Sequence, residues 1–470
     1  MPIESLPRRE LLKTAGCGFG YLALSGLCRD TAVAKTPKNH LAAKPTHHRA
    51  RAKRVIFLFM QGGPSQVDTF DYKQLLEKED GKNLKFDNAR TRKRQDERVF
   101  KSLWSFKKHG QCGQMVSDLF PHQAKLVDDF CLIHSMHTEG VAHGPATLFL
   151  HTGATQLIRP SMGAWVMYGL GTESENLPGF VTISPPQTKG GPRNYGAAFL
   201  PAHYQGTAIG RVGVPASEIK LRHLTNLKLT PAKRRQQLEL LQAINRQQAS
   251  NAPDDDELEA TIASFELAYR MQMHAPQALD ISKESKETLS MYGVGEKNTD
   301  AYGRQCLMAR KLAESGVRYI QVNYADHGAT PKWDQHSNMP EHAVHARNTD
   351  KPVAGLLADL KQRGLLEDTL IWWGGEFGRT PFAQGKNGRD HNPKGFTVWL
   401  AGAGIRSGMA YGTTDEFGHE AAEKPVHMHD LHATILHLLG LDHKRLTYRY
   451  AGRDFRLTDV HGRVVHDILS

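Results

Sequence analysis

Residue types that bind metal ions recur at several separate places in this sequence, each just after a run of apolar residues. One pair, Asp334 and His336, is separated by a single residue, so both side chains can point to one side of an extended segment. Carboxylates and imidazoles are the donors that zinc, manganese and magnesium take in proteins. The sequence therefore predicts a divalent-cation site assembled from distant segments. Its candidate ligands are Asp68, His134, His137, His143, Asp326, His327, Asp334, His336, Glu376, Asp390 and His391.

The stretch "IWWGGEFGRTP", from Ile371 to Pro381, combines an apolar strand with a glutamate and an arginine. Its glycines permit close backbone approach, so the strand can deliver Glu376 to a crowded site. Arg379 either holds an anion bidentately or forms a structural ion pair, since a guanidinium suits both. We expect the backbone of Gly62 and Gly63, with Ser65 beside them, to bind the substrate.

Six apolar runs must position these residues. They do not alternate polar with apolar residues, so we read them as strands buried on both faces, and the helical segments between them predict a mostly parallel, doubly wound α/β sheet. Ligands of such sheets bind beyond the carboxyl ends of the strands. The runs begin at Arg54, Asp128, Gly179, Gly316, Asp368 and Phe396.

Two insertions are predicted within the domain that spans residues 54–470. Residues 71–113 are charged and irregular and occupy a position from which they can cover the site. Residues 221–295 carry apolar residues at helical spacing, which predicts a helical insertion packed on one face of the sheet. The His427-x-His429 pair precedes an apolar helix, and we interpret Asp430 as the N-cap of that helix.

The N-terminal segment pairs Arg8 and Arg9 with a short apolar run, and Ala32 to Ala34 supply a small-residue cleavage pattern. This pattern predicts a twin-arginine export signal over residues 1–34, followed by a basic leader over residues 35–53. The alternative is an amphipathic N-terminal helix. Beyond this segment we find no apolar stretch of the roughly 18 residues that a membrane span needs. We expect a protein exported by the twin-arginine machinery to the periplasm or cell envelope, with no membrane span in the mature chain.

The net charge of +11 raises the question of nucleic acid binding, because basic residues cluster at His47 to Arg54 and at Ala89 to Arg98. Neither cluster has interleaved aromatic residues, so we interpret both as solvated surface and expect no nucleic acid partner. Outside the predicted signal the cysteines are Cys112, Cys131 and Cys306, an odd number without Cys-x-x-Cys spacing. We expect neither a disulfide framework nor a structural zinc site.

From Arg54 to Leu469 the chain resembles a known family. The matching segments include "GGPSQVDTFD", "HGPATLFLHTG", "WDQH", "DLKQRGLLEDTLIWWGGEFGRTP" and "GRDHNPKGFTVWLAGAGIRSGMAYG". They are similar to the exported proteins grouped as domain of unknown function 1501, sulfatase-like members of the alkaline-phosphatase-like superfamily. The resemblance implies an alkaline-phosphatase-like core and two neighbouring divalent ions with a nucleophile between them. Among the candidate ligands, the resemblance assigns metal binding to Asp68, Asp334, His336, Glu376 and His391.

Two departures from that superfamily pattern concern the chemistry. Phe377 stands where relatives have a metal-binding histidine, so one of the two ion sites is altered, weaker or empty. His143 stands where sulfatases carry the modified cysteine, which argues against formylglycine chemistry. His143 is then a covalent nucleophile, a metal ligand or a general acid, and Thr147 is a weaker candidate for the nucleophile.

We expect an exported metal-dependent hydrolase of phosphate or sulfate esters, with metal-bound water or His143 as the nucleophile and His143 and Arg379 as the catalytic residues. One or two divalent ions (zinc, manganese, magnesium or calcium) are the expected cofactors. The substrate is an anionic small-molecule or polysaccharide ester. The alternative is a non-catalytic ligand-binding or envelope scaffold protein with a degenerate metal site. A third possibility, a metal-dependent phosphomutase, would require phosphohistidine at His143.

Overall fold

A nine-stranded sheet forms the centre of the protein. The computed structural model describes residues 41–215, 230–251, 256–328 and 330–470, so the predicted export signal and the first part of the leader lie outside the described residues. The strands, in chain order, are β1 (Arg54–Met60), β2 (Asn83–Asn88), β3 (Lys93–Arg98), β4 (Phe106–His109), β5 (Gln114–Ser117), β6 (Phe130–His137), β7 (Phe180–Ile183), β8 (Thr207–Ile209), β9 (Tyr319–Tyr324), β10 (Thr369–Gly374), β11 (Gly378–Gln384), β12 (Gly388–Asn392), β13 (Phe396–Ala401), β14 (Met409–Tyr411), β15 (Thr413–Thr414), β16 (Ala421–Glu423), β17 (Val426–His427), β18 (Tyr448–Tyr450) and β19 (Arg453–Phe455).

Helices connect and cover these strands. The α-helices are α1 (Gln66–Thr69), α2 (Gln74–Lys78), α3 (His143–Thr152), α4 (Met162–Leu170), α5 (Pro231–Asn251), α6 (Asp256–Leu279), α7 (Lys286–Met291), α8 (Asp300–Glu314), α9 (Glu341–Gln362) and α10 (Met428–Leu438). Among the described residues, none of the helices is long and apolar enough to cross a membrane.

The strand order in the central sheet is β14-β6-β13-β10-β1-β9-β7-β8, and β17 also pairs with β6. Every neighbouring pair is parallel except the two that involve β13, which runs antiparallel to both β10 and β6. The sheet is therefore mostly parallel, with one reversed strand in its middle. The carboxyl ends of β1, β6, β9 and β10 consequently meet at the same edge.

Strand β1 shows why the sheet is buried on both faces. Its seven residues are all buried, and alternate side chains enter two separate cores. Val55, Phe57 and Phe59 pack on the face covered by α4 and α10. Residues from α8 and α9 form the opposite core, into which Ile56, Leu58 and Met60 point. Helices cover both faces, so the predicted doubly wound α/β fold is confirmed.

The two insertions differ in how well their structure follows from the sequence. Residues 71–113, predicted as irregular, instead contain the short helix α2, the hairpin β2–β3 and the strand β4, which pairs with β5 just beyond them. Strands β2 and β3 pair only with each other and are largely charged and exposed, so they lack the apolar pattern that identifies a strand. Within residues 221–295, the described portions contain α5, α6 and α7, as the helical pattern predicts.

Candidate metal centre

Four side chains from three separate segments converge at the carboxyl edge of the sheet. His143 is the first residue of α3, directly beyond β6, and His391 lies on β12. Asp334 and His336 belong to the loop between β9 and α9. One candidate ligand atom from each residue lies within 4.8 Å of all the others. In the part of the chain that the structure describes, this is the one group of histidine, cysteine and acidic residues with such an arrangement.

Asp334 is the hub of the cluster. One of its oxygens, Oδ1, lies 2.9 Å from Nε2 of His336 and 3.2 Å from Nε2 of His391. Its other oxygen, Oδ2, is 3.0 Å from Nε2 of His143. Burial alone would raise the pKa of Asp334, but the three imidazoles and the Arg379 guanidinium hold that pKa far below its usual range. The carboxylate is therefore charged at any physiological pH.

The far nitrogens of two histidines are held by protein acceptors. Nδ1 of His391 is 2.6 Å from the Val141 carbonyl oxygen, so that nitrogen must carry the proton. Nδ1 of His336 faces the side-chain oxygen of Gln384 in the same way. Burial lowers the pKa of His391 to about 4, which keeps its ring neutral. With Nδ1 used as the donor, each ring in its neutral form presents the lone pair of Nε2.

These lone pairs meet one another and a carboxylate oxygen. The Nε2 atoms of His336 and His391 are 3.0 Å apart, and both face Oδ1 of Asp334. Electron pairs that converge at this distance repel unless a proton or a cation lies among them. Outer hydrogen bonds that fix the tautomer of a histidine are typical of metal ligands. The donor set therefore fits a divalent cation held by Asp334, His336 and His391.

Arg379 forms an ion pair with Asp334 and does not face the open side of the cluster. Its Nη2 atom is 2.7 Å from Oδ1 of Asp334. The remaining donors reach the carbonyl oxygens of Gly62, Gly63 and Arg389, and the side chain is fully buried. Every side of the guanidinium is occupied by the protein, so the ion-pair interpretation of Arg379 fits this geometry and the anion-binding one does not.

Glu376 lies beside the cluster, behind His143. Its carboxylate accepts a hydrogen bond from the Gly62 amide at 3.0 and 3.1 Å, and Oε1 is 2.6 Å from Nδ1 of His143. A Cβ at Gly62 would come within 2.6 Å of the Trp333 backbone nitrogen, so the close approach requires glycine there. The anion that the Gly62 backbone holds is thus the Glu376 side chain.

His143 is held between two carboxylates. Burial would lower its pKa, but Asp334 and Glu376 raise it above the usual value. In the absence of a metal ion, the ring therefore holds its second proton more tightly than an imidazole in water does. Of the three roles considered for His143, this geometry suits a proton-holding group or a ligand.

Phe377 forms the apolar wall of the cluster. Its ring is buried and stacks on His391 with the ring centres 4.4 Å apart, and it lies 5.0 Å from the His143 ring. It occupies the position at which the superfamily pattern calls for a histidine. The packing fixes the orientation of the imidazoles but supplies no donor for a second ion.

The remaining predicted site residues near β1 lie outside the cluster. Asp68 forms a buried ion pair with Arg389, with Nε of the arginine 2.7 Å from Oδ2. Ser65 donates its hydroxyl proton to the same Asp68 oxygen at 2.5 Å. Gly63 has a positive φ of 76°, and its carbonyl accepts from Arg379. These residues stabilise the surroundings of the cluster but are not part of it.

Other candidates singled out in the sequence also lie elsewhere. Thr147 is one turn into α3, fully buried, and its hydroxyl has no hydrogen-bond partner. His134 contacts Thr397, and the ring of His137 faces the ring of His427. A nucleophilic role for Thr147 stays a prediction.

Sequence reasoning did not anticipate the hairpin β11–β12, which sets up much of the site. It pairs Arg379 directly with His391 across the strands and also carries Gln384 and Arg389. A Cβ at Gly388 would overlap the carbonyl of His336, at 1.8 Å, so the turn packs tightly on the ligand loop. The "GKNG" turn from Gly385 to Gly388 was the available signal, since such turns join antiparallel strands.

The open side of the cluster lies at His336. Its side chain is 31% exposed, whereas those of Asp334 and His143 are 8% and 7% exposed. Among these side chains, His336 is therefore the one that a substrate in solvent meets most readily.

Comparison with protein families gives one match, which covers most of the chain. The model described as "Protein of unknown function (DUF1501)" matches residues 52–469. A search of curated proteins finds no relative of this chain.

Comparison with solved structures gives weak likenesses. A protein of the alkaline phosphatase superfamily from Vibrio parahaemolyticus is 10% identical, with a TM-score of 0.38, covering 87% of this chain and 71% of that one. A lipoteichoic acid synthase from Listeria monocytogenes is 8% identical, with a TM-score of 0.34 and coverages of 90% and 80%. A sulfatase from Pseudoalteromonas sp. is 12% identical, with a TM-score of 0.36 and coverages of 84% and 68%.

Proposed function

The chain belongs to the DUF1501 family of proteins of unknown function, and we propose that it is a metal-dependent hydrolase of phosphate or sulfate esters. One observation carries this proposal. The Nε2 atoms of His336 and His391 and an oxygen of Asp334 converge within about hydrogen-bonding distance, while the other nitrogen of each ring is occupied by a protein acceptor.

The chemistry of the donors favours one kind of ion. Two imidazoles and one carboxylate suit zinc or another transition metal better than magnesium or calcium, which prefer oxygen donors. Phe377 supplies no donor for a neighbouring ion, so we propose one ion per chain. When bound, such an ion polarises an ester oxygen and lowers the pKa of water towards about 7.

The protein's own residues would then orient the substrate and move protons. His143 holds a proton at Nδ1 against Glu376, and its Nε2 faces the cluster, where a second proton can pass to the leaving oxygen of the ester. Arg379 fixes Asp334, and Phe377 keeps water away from the stacked face of His391. These roles assign general-acid function to His143 and positioning functions to Arg379 and Glu376.

The first test is metal content and turnover of the purified chain. Elemental mass spectrometry of protein purified without chelators should find about one ion per chain, and hydrolysis of 4-nitrophenyl phosphate or 4-nitrophenyl sulfate should track that content. Asp334→Ala should lose both while remaining folded by circular dichroism. Full turnover by Asp334→Ala would remove the assignment.

A second candidate is a non-catalytic ligand-binding protein that keeps the fold. The observation in its favour is that Arg379 and the Gly62 amide, which could have held a substrate anion, are already occupied by protein groups. This candidate predicts that a metal-loaded protein binds inorganic phosphate or sulfate without releasing product from any ester. Product release that depends on metal would exclude it.

We also propose export by the twin-arginine route to the periplasm or cell envelope. The support is the Arg8-Arg9 pair followed by an apolar run. Replacing both arginines, with Arg8→Lys and Arg9→Lys, should retain the protein in the cytoplasmic fraction of an expressing bacterium. Unchanged fractionation would contradict this route.

A further inference from the structure

The hairpin β2–β3 carries a dense group of positive charges at its turn. Arg90, Arg92, Lys93 and Arg94 lie within five successive positions, and all four are exposed. We call these four residues the basic turn. Like charges packed this closely repel one another, so their clustering is unfavourable unless negative charge is brought to them.

The turn is a fixed structure built on a buried residue. The side-chain oxygen of Asn88 accepts from the amides of Arg90 and Thr91 at 2.9 and 3.0 Å, and its carbonyl accepts from the amide of Arg92 at 2.8 Å. Asn88 also donates to Glu97 at 2.8 Å. The four cations are therefore presented on a pre-organised backbone.

The hairpin is anchored to the strand that carries part of the metal centre. Phe86 of β2 packs against Phe382 of β11 with the ring centres 5.1 Å apart, and Val99 forms a bridge with the same residue. The Arg98 guanidinium donates to the Lys386 carbonyl in the turn between β11 and β12. The position of the basic turn is thus tied to the hairpin that carries Arg379 and His391.

One residue of the basic turn reaches the open side of the metal centre. Nη1 of Arg90 is 3.5 Å from Oδ1 of Asp390, and the same oxygen is 3.6 Å from Nδ1 of His336. His336 is the most exposed residue of the metal cluster. Arg90 therefore lies beside the exposed edge of the metal cluster.

The other three members of the basic turn lack an ion-pair partner in the described part of the chain. Within the described part of the chain, Arg90 is the member that forms an ion pair, and Arg92, Lys93 and Arg94 form none. Lys93 lies opposite Asn88 in the hairpin register. These three exposed cations, on the same turn as Arg90, are thus available to a ligand.

We infer that the basic turn is a second anion-binding subsite, which selects polysaccharide esters with several sulfate or phosphate groups over simple monoesters. This inference rests on the proposed hydrolase function for the cleaved group. The turn itself cleaves nothing: it binds negative groups on neighbouring parts of the chain while one group lies at the metal centre.

The test measures binding of dextran sulfate to the zinc-loaded full chain by calorimetry at several salt concentrations. The test variant is Arg90→Gln/Arg92→Gln/Lys93→Gln. The matched control, Arg49→Gln/Arg51→Gln/Lys53→Gln, removes the same charge at the amino end of β1, the opposite edge of the sheet from the metal centre. We expect about tenfold weaker binding and a shallower salt dependence for the test variant, and about wild-type affinity for the control.

A second variant protects the test against damage to the metal centre. Arg92→Gln/Lys93→Gln leaves the ion pair of Arg90 with Asp390 intact, so metal content should equal that of the wild type while binding still weakens severalfold. Equal affinities of the test and control variants for dextran sulfate would overturn the inference. Dextran phosphate in place of dextran sulfate identifies which group the turn prefers.

Failure of the inference and failure of the proposed function give different results. Asp334→Asn should lose metal and turnover yet retain dextran sulfate binding, because the basic turn does not include Asp334. If no ester is hydrolysed, the binding comparison still decides the subsite. If esters are hydrolysed but both triple variants bind equally, the hydrolase stands and the subsite falls.

Discussion

Two histidine-rich regions of this protein differ in what their rings face. In the metal centre, His336 and His391 each have one nitrogen held by a protein oxygen and the other aimed at Asp334. The second region lies where α10 begins and contains His137, His427, His429 and His461, which we call the helix-cap histidines. There the rings pack on one another: His429 stacks on His461 with the ring centres 5.4 Å apart.

The helix-cap histidines use their nitrogens and their nearest acid for local structure. His427 is the N-cap of α10, its Nδ1 accepting from the amide of His429, and Nε2 of His429 faces the Gly153 carbonyl. The prediction that Asp430 is the N-cap is wrong. Asp430 is the third residue of the helix, and its carboxylate accepts a hydrogen bond from the amide of His427. A cation site therefore depends on a shared carboxylate and on the direction of the lone pairs, not on the number of imidazoles.

The largest expected effect concerns the charge that balances Asp334. Arg379→Met should lower the free energy of unfolding by about 3–5 kcal/mol, because it leaves a buried carboxylate without its counter-ion. Near the helix-cap histidines, Arg463→Met removes an exposed guanidinium from Asp430, whose carboxylate keeps its backbone donors, and should lower the free energy of unfolding by less than about 1 kcal/mol. Denaturant unfolding of the metal-free proteins measures both. Equal losses would mean that the two ion pairs are equivalent.

The next effect compares the same substitution in both regions. His336→Asn should reduce zinc affinity at least about 100-fold, because it removes a donor from a three-residue set. His427→Asn should leave metal content unchanged and keep the helix stable, since asparagine is a good N-cap. Elemental mass spectrometry after dialysis against buffered zinc reads out both variants. Metal loss in His427→Asn would mean that the ion binds at the helix-cap histidines, which would contradict the assignment to the metal centre.

A smaller effect separates orientation from ligation at Glu376. Glu376→Gln keeps an oxygen for the Gly62 amide but removes the charge beside His143, so metal affinity or turnover should fall about 10- to 100-fold. Turnover should also lose part of its dependence on pH. Complete loss of metal, as in His336→Asn, would instead make Glu376 a direct ligand.

The smallest effect is on the pH dependence of stability in the metal-free protein. Burial lowers the pKa of His427 to about 4, so the unfolded chain binds a proton near pH 6.5 that the folded chain accepts only near pH 4. Stability therefore falls as pH drops through this window. His427→Asn should reduce the loss between about pH 7 and pH 5 by about 1–2 kcal/mol.

One histidine of the metal centre, His143, has the opposite dependence. Its pKa is raised, so its contribution to stability is fully present below about pH 6.5 and is lost as pH rises through the folded-state pKa. Denaturant unfolding of His143→Gln from about pH 5 upwards should show a loss that is full at the acidic end and shrinks as pH rises. A loss that grows with pH would contradict the charge assigned to this ring.

The sequence revealed the sheet better than the site. The predicted run from Arg54 coincides with β1, and the run from Phe396 contains β13, because uninterrupted apolar residues mark a strand buried on both faces. Strands β11 and β12 escaped prediction because they bury polar groups such as Arg379 and Arg389. A strand whose buried side chains are polar and form ion pairs carries no apolar pattern, so apolar patterning cannot identify it.

For the site, the sequence could supply residue types but not their partners. Asp334, His336 and His391 stand out because they follow strand-like runs, and the structure brings them together with His143. Asp68 and Glu376 stand out equally, yet one faces Arg389 and the other faces His143 and Gly62. The difference arises from side-chain directions set by a hairpin that the apolar pattern does not reveal.

The parts of the metal centre come from distant points of the chain. The Gly62 amide and the Glu376 carboxylate that it binds are 314 residues apart in sequence, and His143 lies 233 residues before Glu376. During synthesis, the centre therefore cannot assemble until the ribosome has passed His391. A fragment that ends before that residue lacks one of the three proposed ligands, so we expect metal uptake only after His391 has been synthesised.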